Sequence, residues 1–256
     1  MERKRGEMKR RLCTVAFAVM LIAMPLAVSG QDCSNCDVYR GYVTGDMELW
    51  KRGMNDLQQS YGRDPDGCTL CTLVEARYGY IGYLLGTGDK GAARPLIDGF
   101  EKDIELLAAY PEYAAETEAF RVSLLGFRMT LNPARAVTLG PRALKQLETA
   151  MEKGGGSAAV WIEKANSEAH MPAFAGGSKE KAAASFREAL RLYESGNGMS
   201  DCNWRYLNTM VLLGQLLEKM DDWQGAREAY RRALRRAPGF EWARDELLPA
   251  VEMKIK

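Results

Sequence analysis

Two segments near the end of the chain share one order of small and aromatic positions. In each, a small residue is followed four places later by an aromatic ring, and three places after that by a second small residue. At this spacing the three side chains lie on one face of a helix, where small residues let a neighbouring helix approach and the ring fills the gap. Weaker copies of the pattern start at Ala92 and Ala143. The three positions are Ala182, Phe186 and Ala189 in the first segment and Ala226, Tyr230 and Ala233 in the second.

Glycine, proline and cap residues divide the chain after residue 30 into ten predicted helices. Pro141 opens one of them, because proline at the first helical position loses no needed hydrogen bond. Ser157, Ser178 and Asp222 are the expected N-caps of three others. No segment alternates polar and apolar residues over a sustained length, so we predict an all-α protein. The helices are expected near residues 46–60, 69–86, 89–109, 112–130, 141–153, 158–170, 178–195, 203–220, 222–236 and 240–254.

The predicted helix 69–86 is rich in glycine and tyrosine. Its glycines fall three and four places apart on one face, and we expect that face to pack closely against a neighbouring helix. The tyrosine rings lie at other angles, where they are expected to cover neighbouring helices. The glycines are Gly79, Gly82 and Gly86, and the tyrosines are Tyr78, Tyr80 and Tyr83.

The last copy of the small-aromatic-small pattern resembles a known repeat. The segment LGQLLEKMDDWQGAREAYRRALRRAPGF is similar, position by position, to the tetratricopeptide repeat (TPR). This resemblance implies an all-α, right-handed stack of antiparallel helical hairpins, a TPR-like α-solenoid of four units with a terminal helix at each end. Most of the chain after residue 30 also resembles a group of exported bacterial TPR proteins, and that resemblance implies no particular activity. The matching residues are Leu213, Gly214, Trp223, Ala226, Tyr230, Ala233 and Pro238.

The first thirty residues differ from the rest of the chain. Six basic residues lead into the apolar run LCTVAFAVMLIAMPLAV, and small residues follow it, which is typical of a cleaved secretory signal peptide. We therefore predict a signal peptide over 1–30 and one TPR-like helical domain over 31–256. The clearest repeats are expected at 158–195 and 203–238, with a C-terminal capping helix at 240–254. The protein is expected to be exported, to the periplasm or to the exterior, with no membrane span after signal cleavage.

The charge balance argues against one class of partner. The formal net charge is +1 at pH 7, and residues 1–30 contain six basic and two acidic side chains. Their removal takes away four positive charges and leaves a net charge of about −3. A nucleic-acid-binding domain needs a basic stripe, so we expect no nucleic-acid partner.

Five cysteines follow residue 30. The two Cys-x-x-Cys pairs, Cys33 with Cys36 and Cys68 with Cys71, favour structural disulfides in an oxidising compartment. A link between the two segments would hold the amino terminus against the helix that starts near Cys68. A redox-active pair and a four-thiolate zinc site remain alternatives, but the chain lacks the βαβ unit or ribbon strands that these need. We therefore predict neither a metal nor a cofactor, and we expect Cys202 to be buried or free.

The resemblance to the TPR implies a set of groove-lining residues in the last unit. A concave groove of this kind holds a peptide or protein segment, so the first function hypothesis is a non-enzymatic scaffold or adaptor with a protein partner. The sequence marks no catalytic constellation, and its only histidine, His170, lies at a predicted helix end. The groove residues are Asn208, Val211, Gln215 and Glu218.

Two other functions stay open at this point. Irregular helical repeats can enclose an apolar pocket, which makes a small-molecule carrier or receptor component the first alternative. The tyrosines of helix 69–86, together with Phe174, are its candidate lining. The second alternative is a thiol–disulfide oxidoreductase that uses Cys68 and Cys71, because the start of a helix lowers the pKa of a thiol.

Overall fold

A computed structural model gives the structure of the protein and describes residues 35–196 and 201–255. The predicted signal peptide lies outside these residues, which all belong to one compact unit. Within the described ranges, every regular element is helical. Short 3₁₀ turns cover Pro111–Tyr113, Pro133–Arg135 and Ala173–Ala175, and a π-helical turn covers Ala243–Leu247. The α-helices are α1 Cys36–Thr44, α2 Met47–Arg63, α3 Gly67–Gly86, α4 Lys90–Leu107, α5 Ala114–Leu131, α6 Ala136–Gly154, α7 Ala158–His170, α8 Lys179–Ser195, α9 Trp204–Glu218, α10 Trp223–Arg236 and α11 Leu248–Ile255.

Successive helices pack in pairs, so the protein is a stack of helical hairpins of the TPR-like type. The pairs are α1 with α2, α3 with α4, α5 with α6, α7 with α8, and α9 with α10. The described residues thus contain five hairpins and a final helix, where the sequence predicted four units with one helix at each end. The difference arises because helix 46–60 is not terminal: α1 precedes it, and the sequence analysis missed this short helix.

All three predicted residues occupy N-cap positions, and two of them make the capping hydrogen bond. The Ser178 hydroxyl accepts a hydrogen bond from the Lys181 amide at 3.2 Å, and the Asp222 carboxylate accepts one from the Gly225 amide at 2.9 Å. Each bond satisfies a backbone donor that the first helical turn leaves without a partner. Ser157 makes no such bond, and its hydroxyl donates to the Glu116 carboxylate on α5 at 2.9 Å.

The start of α6 also differs from the prediction. The helix begins at Ala136, directly after the 3₁₀ turn Pro133–Arg135, and Pro141 therefore lies inside it. The turn already directs the chain into a helix, so proline is not needed as the opening residue. Pro141 still lies near the helix start, where it deprives only the Val137 carbonyl of its usual partner.

The small-aromatic-small face of the sequence is confirmed as the core of the last two hairpins. All six side chains of the two segments are buried. The ring of Tyr230 lies directly over Gly214, where a Cβ atom would be 2.3 Å from the ring carbon Cε1. A side chain at Gly214 would therefore displace the ring, which explains why the repeat has glycine on one helix and an aromatic residue on the next.

The predicted glycine face of α3 is confirmed at one position. A Cβ atom on Gly79 would lie 2.5 Å from the Trp204 ring and 2.6 Å from the Trp50 ring, so this glycine allows two indoles to pack against the helix backbone. Gly82 and Gly86 are exposed with open space beside them, and the expectation of close packing there is wrong. The helix turns these two positions toward solvent instead of a neighbour.

The first helix packs against the last repeat. Val38 belongs to the core of the first hairpins, and Tyr42 on the same helix packs against the cores of both the first and the last hairpins. The Tyr42 hydroxyl donates to the Asn208 side-chain oxygen at 3.0 Å, across 166 residues of sequence. A disulfide between Cys36 and Cys202 covalently links the same two regions. α1 and α9 are therefore held together by a covalent bond, a hydrogen bond and aromatic packing.

Candidate functional site

A cavity of about 900 Å³ lies between α5, α6 and α7. Successive turns of α5 and α6 give it small residues, so these two helices leave space between them instead of filling it with side chains. The segment that follows α7 forms the rest of the rim, and one tyrosine from α3 reaches the interior. The described lining residues are Tyr78, Val122, Ser123, Gly126, Phe127, Met129, Thr130, Pro133, Ala136, Val137, Gly140, Pro141, Ala143, Leu144, Glu163, Asn166, Ser167, His170, Met171, Pro172, Phe174 and Ala175.

The rim of the cavity carries two large apolar side chains that are open to solvent. Phe174 is 94% exposed and Val137 is 83% exposed. Phe174 lies in the 3₁₀ turn Ala173–Ala175, which ends at Gly176 with φ of 97°, a backbone conformation that favours glycine. A Cβ atom on the next residue, Gly177, would lie 1.9 Å from the Met171 carbonyl oxygen. The two glycines thus allow the tight turn that presents Phe174 at the rim.

The interior of the cavity is polar at one place. Glu163 on α7 is only 4% exposed, and its Oε1 atom is buried without a hydrogen-bond partner in the described residues. Burial raises the pKa of the Glu163 carboxyl, while the positive charge of Arg205 and the hydrogen-bonding groups of Ser123, Tyr78 and Asn166 beside the carboxyl work against the rise. The Tyr78 hydroxyl accepts a hydrogen bond from Asn166 at 3.3 Å. A buried carboxyl group, one oxygen of which has no hydrogen-bond partner in the described residues, therefore belongs to a residue that lines an otherwise largely apolar space.

Arg205 lies behind this polar group and is almost completely buried. Its Nη1 atom donates to the Glu75 carboxylate at 3.0 Å, and its guanidinium lies 5.3 Å from the ring centre of Tyr78 and 5.2 Å from that of Phe120. Its Nε and Nη2 atoms have no hydrogen-bond partner in the ranges that the structure covers. The guanidinium offsets the half-buried carboxylate of Glu75 on α3 and the buried carboxyl of Glu163 on α7. Arg205 is not among the cavity-lining residues.

Two of the aromatic residues that were expected to line an apolar pocket do line the cavity. Tyr78 and Phe174 both line the cavity. Tyr80 is buried in the core of the first hairpins and Tyr83 is 44% exposed, so neither contributes to the lining. His170 ends α7 as expected, but it also lines the cavity, with Nδ1 donating to the Asn166 carbonyl oxygen at 2.8 Å. Nothing in the sequence around His170 predicted that this residue also lines a cavity.

The four predicted groove residues do not form one open surface. Val211 has no exposed surface and belongs to the core, so the expectation that it lines an accessible groove is wrong. Asn208 already accepts the hydrogen bond from Tyr42 of α1. Glu218 accepts one from Tyr230 of its own hairpin. Asn208, Glu218 and Gln215 are all partly buried, and the packing of α1 on α9 explains why the groove is covered at its start.

The cysteines agree with the prediction in part. Cys36 is in a disulfide, as expected, but its partner is Cys202, which the sequence analysis had left buried or free. Cys68 is also disulfide-bonded, and Cys33 lies outside the described residues. Cys71 is a free thiol buried in the core, so its assignment as a disulfide candidate is wrong; Cys68, three residues earlier, is disulfide-bonded.

The geometry at Cys71 disfavours redox chemistry by a Cys68–Cys71 pair. Burial is the main cause that raises the pKa of the Cys71 thiol, and the carboxylates of Glu75 and Glu116 raise it further. A neutral thiol is a poor nucleophile in disulfide exchange.

No cluster of three metal-ligating side chains occurs in residues 35–196 and 201–255. None of the helices there is long and apolar enough to cross a membrane.

Comparisons with known proteins identify the repeat and the fold. The family profile described as Tetratricopeptide repeat matches residues 208–240. TTC0263, a thermophilic TPR protein from Thermus thermophilus, has a similar structure, with a TM-score of 0.53 at 16% sequence identity over 86% of this chain and 97% of that chain. The HusA haemophore from Porphyromonas gingivalis gives a TM-score of 0.56 at 18% identity over 74% of this chain and 96% of that chain. No curated protein matches the sequence.

These similarities agree with the five packed hairpins. At such identities the two solved structures establish a common fold, while the profile match identifies one repeat within it. This fold is typically non-catalytic and is widely used for interactions between proteins. The chain is a tetratricopeptide-repeat-like, all-α helical protein.

Proposed function

We propose that this protein binds a small, mainly apolar molecule in the cavity between α5, α6 and α7, as a non-enzymatic carrier or receptor component. The observation that carries the proposal is the cavity itself. Its volume of about 900 Å³ falls in the upper part of the range of ligand sites in proteins, roughly 300–1,000 Å³. Its walls are mostly apolar, and a few polar groups converge at one place, which is the usual composition of such sites.

The rim supports the same function. Exposed large apolar side chains cost free energy in water, and Phe174 and Val137 both border a cavity that a ligand would fill. The Porphyromonas gingivalis protein of similar fold is described as a haemophore, which is consistent with a small-molecule cargo on this fold. A ligand that covered both side chains would gain apolar contact in addition to filling the cavity.

The test is a fluorescence titration with Nile red, an uncharged apolar dye that has no hydrogen-bond donor. We expect the dye to bind to the native protein and to bind at least about tenfold more weakly to the Gly126→Trp variant. Gly126 lines the cavity, and a Cβ atom there meets no atom within 4 Å, so the indole would enter the cavity without a clash at the helix. The dissociation constant, read from the titration midpoint, is the measured quantity.

The matched control for this titration is Gly62→Trp. Gly62 is an exposed glycine of α2 that also has open space beside it, and it does not line the cavity. The control variant is expected to bind Nile red like the native protein, with circular dichroism confirming that both variants are folded. Absence of dye binding, or equal binding by Gly126→Trp and the native protein, would contradict the proposal.

A second candidate is a scaffold that holds a peptide or protein segment, and the TPR match over residues 208–240 favours it. Gln215 is the polar groove residue for which no side-chain hydrogen bond is found in the described part of the chain. A peptide at this groove would compete with Tyr42 for Asn208. Failure of the Nile red titration would make this the better candidate.

We also propose that the protein is exported. The charged, apolar and small-residue sections of residues 1–30 support this placement, and a disulfide between Cys36 and Cys202 is typical of an oxidising compartment. Amino-terminal sequencing of protein purified from the producing cell is expected to begin near residue 31. A sequence that begins at residue 1 in a cytoplasmic fraction would contradict this placement.

A further inference from the structure

We infer that the ligand of the cavity is an apolar molecule that carries a hydrogen-bond donor, an amine or a hydroxyl group, which it presents to Glu163. The inference rests on the proposed function, because it assumes that the cavity is occupied by a small molecule. It adds the chemical class of that molecule and the residue that selects it.

One carboxyl oxygen of Glu163 lacks a hydrogen-bond donor in the described residues. A buried carboxylate oxygen normally accepts hydrogen bonds, and leaving it without a donor costs free energy. Oε1 of Glu163 has no partner in the described residues, although Glu163 is 4% exposed and lines the cavity. A ligand donor that reached this oxygen would satisfy the group that the fold leaves unsatisfied.

A second buried glutamate on the same helix shows the contrast. Glu168 is 8% exposed and lies about one turn further along α7. Its two oxygens accept hydrogen bonds from Lys164 and from the Ser185 hydroxyl, the latter at 2.6 Å. Glu168 is satisfied by protein groups and does not line the cavity. Glu163, which lines the cavity, has an oxygen without a donor, whereas Glu168, which does not line the cavity, has a donor for each of its oxygens.

The charges of the cavity-lining residues predict whether the cavity prefers a cationic or an anionic ligand. Glu163 is the only carboxylate among the described lining residues, and that set contains neither lysine nor arginine. The nearby buried cation, Arg205, is directed to Glu75 and does not line the cavity. A ligand carboxylate would therefore meet a like charge and neither lysine nor arginine, with His170 as the one other ionisable group of the described lining apart from Tyr78, whereas an ammonium group would form a charge-assisted hydrogen bond with Glu163.

The test is a competition series against Nile red with four molecules of nearly equal length. They are decylamine, 1-decanol, the methyl ether of 1-decanol and decanoate. The amine and the alcohol have a donor, the ether only accepts, and decanoate is an anion. We expect decylamine to displace the dye at a concentration at least about tenfold lower than the ether does, with decanol between them and decanoate weakest.

Two substitutions on α7 complete the experiment. Glu163→Gln keeps the size of the side chain and removes its charge. We expect this substitution to weaken the binding of decylamine at least about tenfold without changing the binding of Nile red. Glu168→Gln is the matched control and is expected to leave the order of the four molecules unchanged. The series on the native protein decides the question even if a substituted protein fails to fold.

The outcomes separate the two proposals. Dye binding that Gly126→Trp weakens, with an ether that competes as well as the amine or with decanoate strongest, would overturn the inference and leave the proposed function intact. An amine preference that survives Glu163→Gln would overturn the role of Glu163. A native protein that binds no Nile red would overturn the proposed function itself.

Discussion

Substitution of Arg205 by alanine is expected to lower the free energy of unfolding by about 3–5 kcal/mol at pH 7, because it leaves buried negative charge without its counter-charge. Arg205 is 2% exposed and pairs with Glu75. Its positive charge also works against the rise that burial causes in the pKa of Glu163. The substitution also removes the guanidinium from its place near the Tyr78 and Phe120 rings. Urea unfolding of the native protein and the variant measures the difference.

The loss should depend on pH in a defined direction. Burial raises the pKa of Glu163 in the folded protein, and Arg205 works against that rise, so the pKa rises further in the variant. A carboxyl group whose folded pKa is raised binds more protons when folded, and stability then falls as the pH rises through its pKa. The variant should therefore lose more stability than the native protein between pH 5 and pH 7.

The control for this experiment is Arg191→Ala. Arg191 pairs with Glu188 on the surface of α8, where an exposed ion pair contributes at most about 1 kcal/mol. We expect little change for this variant and no added dependence on pH. An equal loss for Arg205→Ala at pH 5 and pH 7 would assign the role of Arg205 to ring packing instead of charge.

Removal of the Cys36–Cys202 disulfide is expected to have a comparable effect. The bond joins residues 166 apart in sequence, so it restricts the unfolded chain strongly, and its loss should cost about 2–5 kcal/mol. The double variant Cys36→Ser with Cys202→Ser is compared with the native protein by urea unfolding without a reducing agent.

Cys71→Ala provides the matched control for the disulfide variant. Cys71 is a free thiol in the core, and its replacement removes one buried atom, for a loss of about 1 kcal/mol or less. Equal stability of the double variant and the native protein would mean that Tyr42 and its neighbours hold α1 on α9 without the covalent link.

The sequence predicted the repeats where their signal is local. Gly214, Tyr230 and Ala233 lie within one hairpin, and the residue types at these places reflect contacts between adjacent helices. Glycine and cap residues likewise mark helix ends by local backbone chemistry, so most of the helices were predicted close to their observed bounds. α1 was missed because it is short and has only two buried positions, Val38 and Gly41.

The cavity and the Cys36–Cys202 link were harder to predict because they depend on long-range geometry. Gly126 and Ala143 look like ordinary small packing residues, and only the spacing of α5 and α6 turns them into cavity walls. Glu163 resembles any surface glutamate of an amphipathic helix until the neighbouring helices cover it. Cys202 has no nearby cysteine in sequence, so its partner followed only from the position of α1 beside α9.

The contact between α1 and α9 sets the order in which the chain can complete its fold. A ribosome releases the amino-terminal residues first, but Tyr42 finds its partner Asn208 only after 166 further residues have been made. During that time the later hairpins can form one after another, while α1 waits with part of its apolar surface uncovered. The last repeat therefore covers the apolar surface of α1 and also completes its own hairpin. A chain truncated before residue 204 would lack the helix that makes both contacts.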